Sequence, residues 1–330
     1  MSEHWKPEAD HSSSNVQQTP PVEPKRYWAG FLAGTAVMAL ISAIPGITYF
    51  VPTLLLFGLA MYIIAPLAAS IIACQTAAKL GMTVGPEMVG MTLLGLCIGT
   101  FGIILMGLDG MICVLMAMPL AMIICIVGSY QYIREEGING IAFALMGTLA
   151  VGGDMHRIAN EPALIMETRI HVAAPPEEVW PLVIEQPDLS GSKVDKFVAI
   201  TGAAHPLSTH CPSAAVGARR VCRLTTGDMH EEVTESVPNR RFAFRVLNTP
   251  PAMKETNPFH PHIHPGHLDG YIEMRRGSFD LIETESGTEI IARSTYINRY
   301  GPIAYWRLWS DRIVRGVHNQ VLDDVKRRAE

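Results

Sequence analysis

Residues 168–183 read TRIHVAAPPEEVWPLV. Ile170 and Val172 alternate with polar neighbours from Thr168 to His171, the period of a strand with one buried face. Pro175 and Pro176 end that strand and open a helix, because the first helical turn has no use for the N–H that proline lacks. Glu177 and Glu178 then fall in the first turn, where the positive end of the helix dipole favours acids. Val179, Trp180 and Val183 form an apolar stripe on that helix. The stretch reads as strand, tight turn and amphipathic helix.

On either side of this seam the composition differs. The chain has 330 residues and a formal net charge of −5, room for two domains. Residues 28–153 are nearly free of charge, whereas residues 156–330 carry most of the Lys, Arg, Asp and Glu. No basic patch with interleaved aromatics appears, which excludes nucleic acid as the expected partner. The reading is a polar, disordered tail over residues 1–26, a transmembrane domain over 27–155, a linker over 156–166 and a soluble domain over 167–330. The tail lacks a cationic start followed by a short apolar core, so it is not a cleavable signal peptide.

At about 20 apolar residues per crossing, spans fall at 28–45, 47–73, 88–107, 111–130 and 137–153. The last is short and glycine-interrupted, so the count is five, with four as the alternative. Gly107-Leu108-Asp109-Gly110 is the turn between spans three and four. Lys25, Arg26, Lys79 and Arg134 lie in alternate connections, and the connections near Gly46 and Asp109 carry no Lys or Arg. The positive-inside rule puts the N-terminus in the cytoplasm of what is expected to be a bacterial cell membrane. Five spans then place the soluble domain outside, and four would place it in the cytoplasm. Asp109 and Glu87 fit loops, and Gly90, Gly95 and Gly99 suit close helix contacts. Cys74, Cys97, Cys113 and Cys125 have no metal-ligand spacing and read as small buried hydrophobes.

In the soluble half, residues 186–216 are broken by Pro, Gly and Ser, fitting a second short helix or an ordered loop. Strands follow at 219–225, 229–236, 241–247, 270–282 and 289–297, closely spaced enough for an antiparallel sheet. A helix over 302–328 ends the chain, with Ile303, Trp306, Ile313, Val317 and Val321 on its apolar face. The expected fold is an N-terminal α-helical transmembrane bundle followed by an α+β domain, a curved antiparallel sheet around a long C-terminal helix.

The strings APPEEVW (174–180), GARRVCRLTTG (217–227) with EEVTE (231–235), HLDGYIEMRRGSF (267–279) and YWRLWSD (305–311) resemble the START-like, helix-grip superfamily. The branch is that of polyketide cyclases, dehydrases and lipid transport. LDGMICVLMAMPL (108–120) extends the likeness to its membrane-anchored members. The resemblance implies a cup with an apolar cavity between sheet and last helix; fold alone assigns no reaction.

Candidate sites divide by chemistry. His260, His262, His264 and His267, with Asp269, can ligate Zn²⁺, although Pro258, Pro261 and Pro265 and an unfamiliar spacing equally suit a structured lid over the cavity. No cofactor is expected. Phe244, Tyr271, Tyr296 and Trp306 are candidate cavity aromatics. Arg275, sharing a strand face with Tyr271 and Glu273, is a candidate anchor for an acidic head group. His267 and Asp269 complete the ligand set. For catalysis, His230 and Glu232 share a strand face and form the strongest acid–base pair, against the alternative of a solvated edge. Cys211 and Cys222 would be disulfide candidates outside the cytoplasm.

Three function classes follow. The first is a membrane-anchored cup that binds or transfers a lipid or other hydrophobic small molecule. The second is a cyclase, dehydratase or hydrolase acting on an apolar substrate in the same cavity. The third is a module whose cup binds another protein through exposed apolar surface.

Overall fold

The computed structural model describes residues 24–47, 60–135, 140–161, 163–189 and 191–330. The expected polar tail up to residue 23 and residues 48–59 of the second expected span lie outside them.

Among the described residues the first half has the helices α1 (Pro24–Ile47), α2 (Ala65–Lys79, entered through a short π-helix at Ala60–Ile64), α3 (Glu87–Leu105), α4 (Met111–Glu135) and α5 (Gly140–Asn160). Among the described residues three helical windows, Tyr62–Lys79, Glu87–Leu105 and Met111–Arg134, are long and apolar enough to cross a membrane. Helix α1 packs on α2 and α3, and α4 packs on the same two. Met38, Ala73, Cys74, Met88, Met91 and Cys125 form the bundle core. Gly95 lets α3 approach α1 closely, since a Cβ there would stand 2.6 Å from Met38 Cβ. Gly90 has nothing comparable within 4 Å, so it does not serve a helix contact. Leu94, Ile98, Phe101, Leu115, Ile123 and Val127 present apolar side chains on the outside.

Helix α5 runs to Asn160 and strand β1 (Ala163–Val172) begins almost at once, so the expected linker over 156–166 is instead helix end and strand start. Next come α6 (Pro176–Ile184), α7 (Lys196–Thr201), β2 (Pro206–His210), β3 (Arg219–Leu224), β4 (Gly227–Val237), β5 (Arg241–Val246), β6 (Ile272–Thr284), β7 (Gly287–Asn298) and α8 (Ile303–Ala329). Strand β2 corrects the reading of 186–216 as helix or loop only. It alternates weakly, and what holds it is pairing with β3, Thr209 opposite Cys222.

The seven strands form one antiparallel sheet in the order β1-β7-β6-β5-β4-β3-β2. The sheet curls around α8, the helix-grip arrangement. Val172, Val179, Val183, Phe242, Phe244, Phe279, Ile290, Leu322 and Val325 fill the space between the sheet, α6 and the end of α8. The buried face of α8 is wider than its apolar stripe, taking in Ser310, His318, Gln320 and Asp324. Each has partners: Ser310 Oγ meets Tyr296 and Asn298, His318 bridges Ser294 and Thr168, Gln320 donates to Ser192 Oγ and the Pro206 carbonyl, and Asp324 pairs with Arg327 and Arg328. Buried polar groups satisfied in this way cost little.

Candidate functional site

The His-rich connection between β5 and β6 decides where the site lies, because it docks on the helical half. Asn257 Nδ2 donates to the carbonyls of Ile104 (2.7 Å) and Asp109 (3.0 Å), taking up acceptors left at the end of α3. Thr256 O accepts from Met111 N at 2.8 Å, and Glu255 Oε1 accepts from Cys113 N at 2.7 Å. An acid thus sits on the exposed N–H groups of α4, where the dipole favours it. Phe259 meets Phe101 edge-on at 6.0 Å. Tyr305 donates to the carbonyl of Met116, and Arg157 of α5 donates to the carbonyl of Arg299.

This docking leaves a partly open cavity of about 140 Å³ between the two halves. Ile41, Pro66, Leu96, Ile103, Met116 and Ile313 line its apolar part. Trp306 closes one side, its ring 5.1 Å from Tyr62 and 5.0 Å from Tyr300. At the polar end stand Asp109, Cys113 and His267. His267 is 4 % exposed and comes from a short 3₁₀ turn, Gly266–Leu268, whose His267 carbonyl accepts from Tyr300 Oη at 2.8 Å. Its Nε2 is 3.3 Å from Cys113 Sγ and 3.8 Å from Asp109 Oδ1. One donor atom from each of the three lies within 4.8 Å of the others, a separation that a single metal ion can span.

Burial pushes the His267 imidazole down to about 4, helped by the charge of His264 and opposed by Asp269. Burial likewise pushes the Asp109 carboxyl up to about 7, with Glu255 adding to the rise and the Gly110 N–H opposing it. Between those values both groups are neutral, so their contact is not an ion pair. Glu255 is also raised by burial, against the N–H groups it accepts from.

The four histidines of the expected metal set do not converge. His260 Nε2 lies 2.9 Å from the Leu105 carbonyl, His262 is exposed, and His264 Nε2 meets Asp269 Oδ2 at 2.8 Å on the surface. The prolines hold them apart along the loop, and His267 alone turns inward. Asp269, expected with the ligand set, is turned to solvent with His264. Tyr271 flanks the junction, its ring tilted against that of Tyr300 at 4.9 Å, and Trp306 lines the cavity.

Phe244 and Tyr296 lie elsewhere. Phe244 is in the cup core under the Arg220 guanidinium, 4.5 Å away. Tyr296 is fully buried between β7 and α8, its hydroxyl donating to Asp311 Oδ1 at 2.5 Å. Arg275 falls at a bulge in the β6–β7 ladder, where alternation breaks between Met274 and Arg276. It swings outward to Glu273 (2.8 Å) and Glu161 (3.6 Å) rather than toward a ligand. His230 is exposed and Glu232 is paired with Arg219 and Arg245 on the outer face of β4, a strand with neighbours on both sides, so these two lie on a solvated sheet face and not in an acid–base pair. Cys211 and Cys222 are free thiols.

Asp109 and Cys113 are the residues that sequence reasoning passed over as a turn acid and a buried thiol. Their spacing of four, which puts two side chains on one side of a helix start, was the available signal. Glu255 and Asn257 had none.

The family described as polyketide cyclase / dehydrase and lipid transport matches residues 163–330. No curated protein matches the chain. Among solved structures, the chain is similar to a Mesorhizobium loti protein at 16% identity over 51% of this chain and 96% of that one, TM-score 0.31. It is similar to the di-domain ARO/CYC StfQ of the steffimycin pathway at 12% over 58% and 61%, TM-score 0.35. It is also similar to the Zhui aromatase/cyclase from Streptomyces sp. R1128 at 14% over 51% and 97%, TM-score 0.32. These likenesses are too remote to carry a ligand or a reaction across. The match over residues 163–330, on a sheet curled around a long C-terminal helix, makes this chain a member of the polyketide cyclase / dehydrase and lipid transport family, of helix-grip fold.

Proposed function

We propose that the protein is a membrane-anchored helix-grip cup that binds a slender hydrophobic molecule, such as a lipid acyl chain, at the junction of its two halves. The observation that carries this is the cavity of about 140 Å³ between the halves, lined mostly by apolar side chains, with Asp109, Cys113 and His267 grouped on its wall. Its size discriminates among ligands: an apolar cavity of about 150 Å³ admits benzene, while drug-sized ligands occupy about 300–1,000 Å³. A single ring or a stretch of acyl chain fits that volume. The outer residues of α3 and α4, such as Phe101, Leu115 and Ile123, support a lipid surrounding for the helices.

The packing also supports the side on which the cup works. Arg26 lies against Gly81 in the α2–α3 turn, so Arg26 and Lys79 share one end of the bundle. The cup rides on the opposite end, over the turn at 105–111 that carries no Lys or Arg. Arg157, the basic residue on the cup side, is taken up in the junction. By the positive-inside rule the cup faces away from the cytoplasm.

The test is extraction and mass spectrometry of hydrophobic molecules from the full chain purified in detergent, beside Ala117→Phe, which fills the cavity. The expected result is one hydrophobe per chain in the native protein and at least about tenfold less in the variant, 1.4 kcal/mol or more of binding energy, at an unchanged melting temperature. Equal amounts in both would sink the proposal.

A further inference from the structure

We infer that Asp109, Cys113 and His267 together form a binding site for a zinc-class divalent transition metal, with a fourth position open toward the cavity. The inference deepens the reading above, since all three residues line the same cavity. Around a tetrahedral ion with bonds of about 2.0–2.3 Å, neighbouring donors are separated by about 3.3–3.6 Å. His267 Nε2 lies 3.3 Å from Cys113 Sγ and 3.8 Å from Asp109 Oδ1, and all three donors lie within 4.8 Å. Small rotations about side-chain bonds close the remainder.

The competing reading of the same residues is a Cys–His–Asp nucleophile. In such a chain the nucleophile and the orienting acid sit on opposite nitrogens of the imidazole. Here both Sγ and the carboxylate face the same nitrogen, Nε2. Three donors converging on one point describe a coordination sphere, not a relay.

Charge and chemistry agree. One thiolate and one carboxylate balance a dication, so the loaded site is neutral next to an apolar cavity and avoids the cost of an uncompensated buried charge. Sulfur, imidazole nitrogen and carboxylate oxygen together suit Zn²⁺ and its neighbours rather than Mg²⁺ or Ca²⁺, which take all-oxygen sets. Three protein ligands with one free position is the pattern of sites that accept a water or a ligand atom.

Each donor is also held from behind. Gly110 N donates to Asp109 Oδ1 at 2.7 Å, Glu255 grips the backbone of Cys113, and Tyr300 grips that of His267. Outer contacts of this kind orient metal ligands. Because Asp109 and Cys113 come from the helical half and His267 from the cup, the ion would fasten the two halves together.

The experiment is metal binding by the full chain in detergent, stripped with chelator and titrated with Co²⁺, then competed with Zn²⁺. The expected result is one equivalent of Co²⁺ with a thiolate-to-cobalt charge-transfer absorption, displaced by Zn²⁺. Cys113→Ser should abolish that absorption, and both Cys113→Ser and His267→Gln should weaken binding at least about 100-fold, beyond the range for losing an outer contact. The double variant His262→Ala/His264→Ala should bind as the native chain does. Metal-free melting of Cys113→Ser at the native temperature separates ligand loss from misfolding; if that variant melts low, His267→Gln decides. Absence of a bound equivalent, or binding that survives both single changes, overturns the site. Hydrophobe content of the chelated protein is scored separately, so failure of the metal site and failure of the cavity reading are distinguishable.

Discussion

Arg220 and Glu231 face each other across β3 and β4 in the interior of the cup, both almost fully buried and hydrogen-bonded. Arg220 also donates to the Ile184 carbonyl and lies over Phe244. Burial raises the carboxyl of Glu231 and Arg220 opposes the rise. Removing one partner strands a charge, so Arg220→Met should cost about 3–5 kcal/mol, whereas Arg220→Met with Glu231→Leu should recover most of it. Denaturant unfolding of the full chain in detergent checks both. His318 gives a pH prediction. Burial holds its imidazole at about 4 in the folded chain, against about 6.5 unfolded. The unfolded chain therefore binds the extra proton first as pH falls. Stability from this group is complete above pH 6.5 and declines toward pH 4, by about 3 kcal/mol in all. The decline should flatten in His318→Asn; an unchanged slope would count against it.

At the scale of elements, the connection between β5 and β6 acts as a clamp on the ends of α3 and α4. Glu255 fits against Gly110 so closely that a Cβ there would stand 1.7 Å from Glu255 Cγ. Gly110→Ala should therefore expel Glu255 from the start of α4 and loosen the clamp. Hydrogen exchange over residues 255–268 should rise at least about tenfold, the equivalent of 1.4 kcal/mol of local stability, while β1 and β7 stay protected. Uniform protection in the variant would mean that the clamp does not depend on this contact. Strands β1 and β3 to β7 and helix α8 were legible in the sequence because a period of two and a terminal apolar stripe are local signals, whereas β2 was not, since pairing rather than pattern holds it. The polar buried face of α8 was not, since Ser310, His318 and Gln320 read as solvent-facing until their partners on other elements are known.

For the whole molecule, the prediction concerns sidedness. In intact cells, an impermeant thiol reagent should label Ser286→Cys, in the exposed β6–β7 turn, without permeabilisation. Leu80→Cys, at the other end of the bundle, should label only after it. The reverse pattern would put the cup in the cytoplasm and end the extracytoplasmic reading. The fit between the halves also explains where a ligand can go: the inside of the cup is filled by Phe242, Phe244 and the Arg220–Glu231 pair, so the cavity lies instead between α8 and the helices.

The amino-acid sequence by itself determined the division into an apolar helical half and a charged α+β half, the strand–turn–helix at 168–183 and the long last helix. Those follow from charge distribution and from periodicities shared by residues close along the chain. It also marked Trp306 and His267 as residues to watch. Only the tertiary structure decided that His267 leaves its neighbouring histidines to meet Cys113, 154 positions away, and that Arg275 turns outward at a bulge. Contacts between distant segments leave no pattern in either segment, because each obeys its own local rules until packing brings them together.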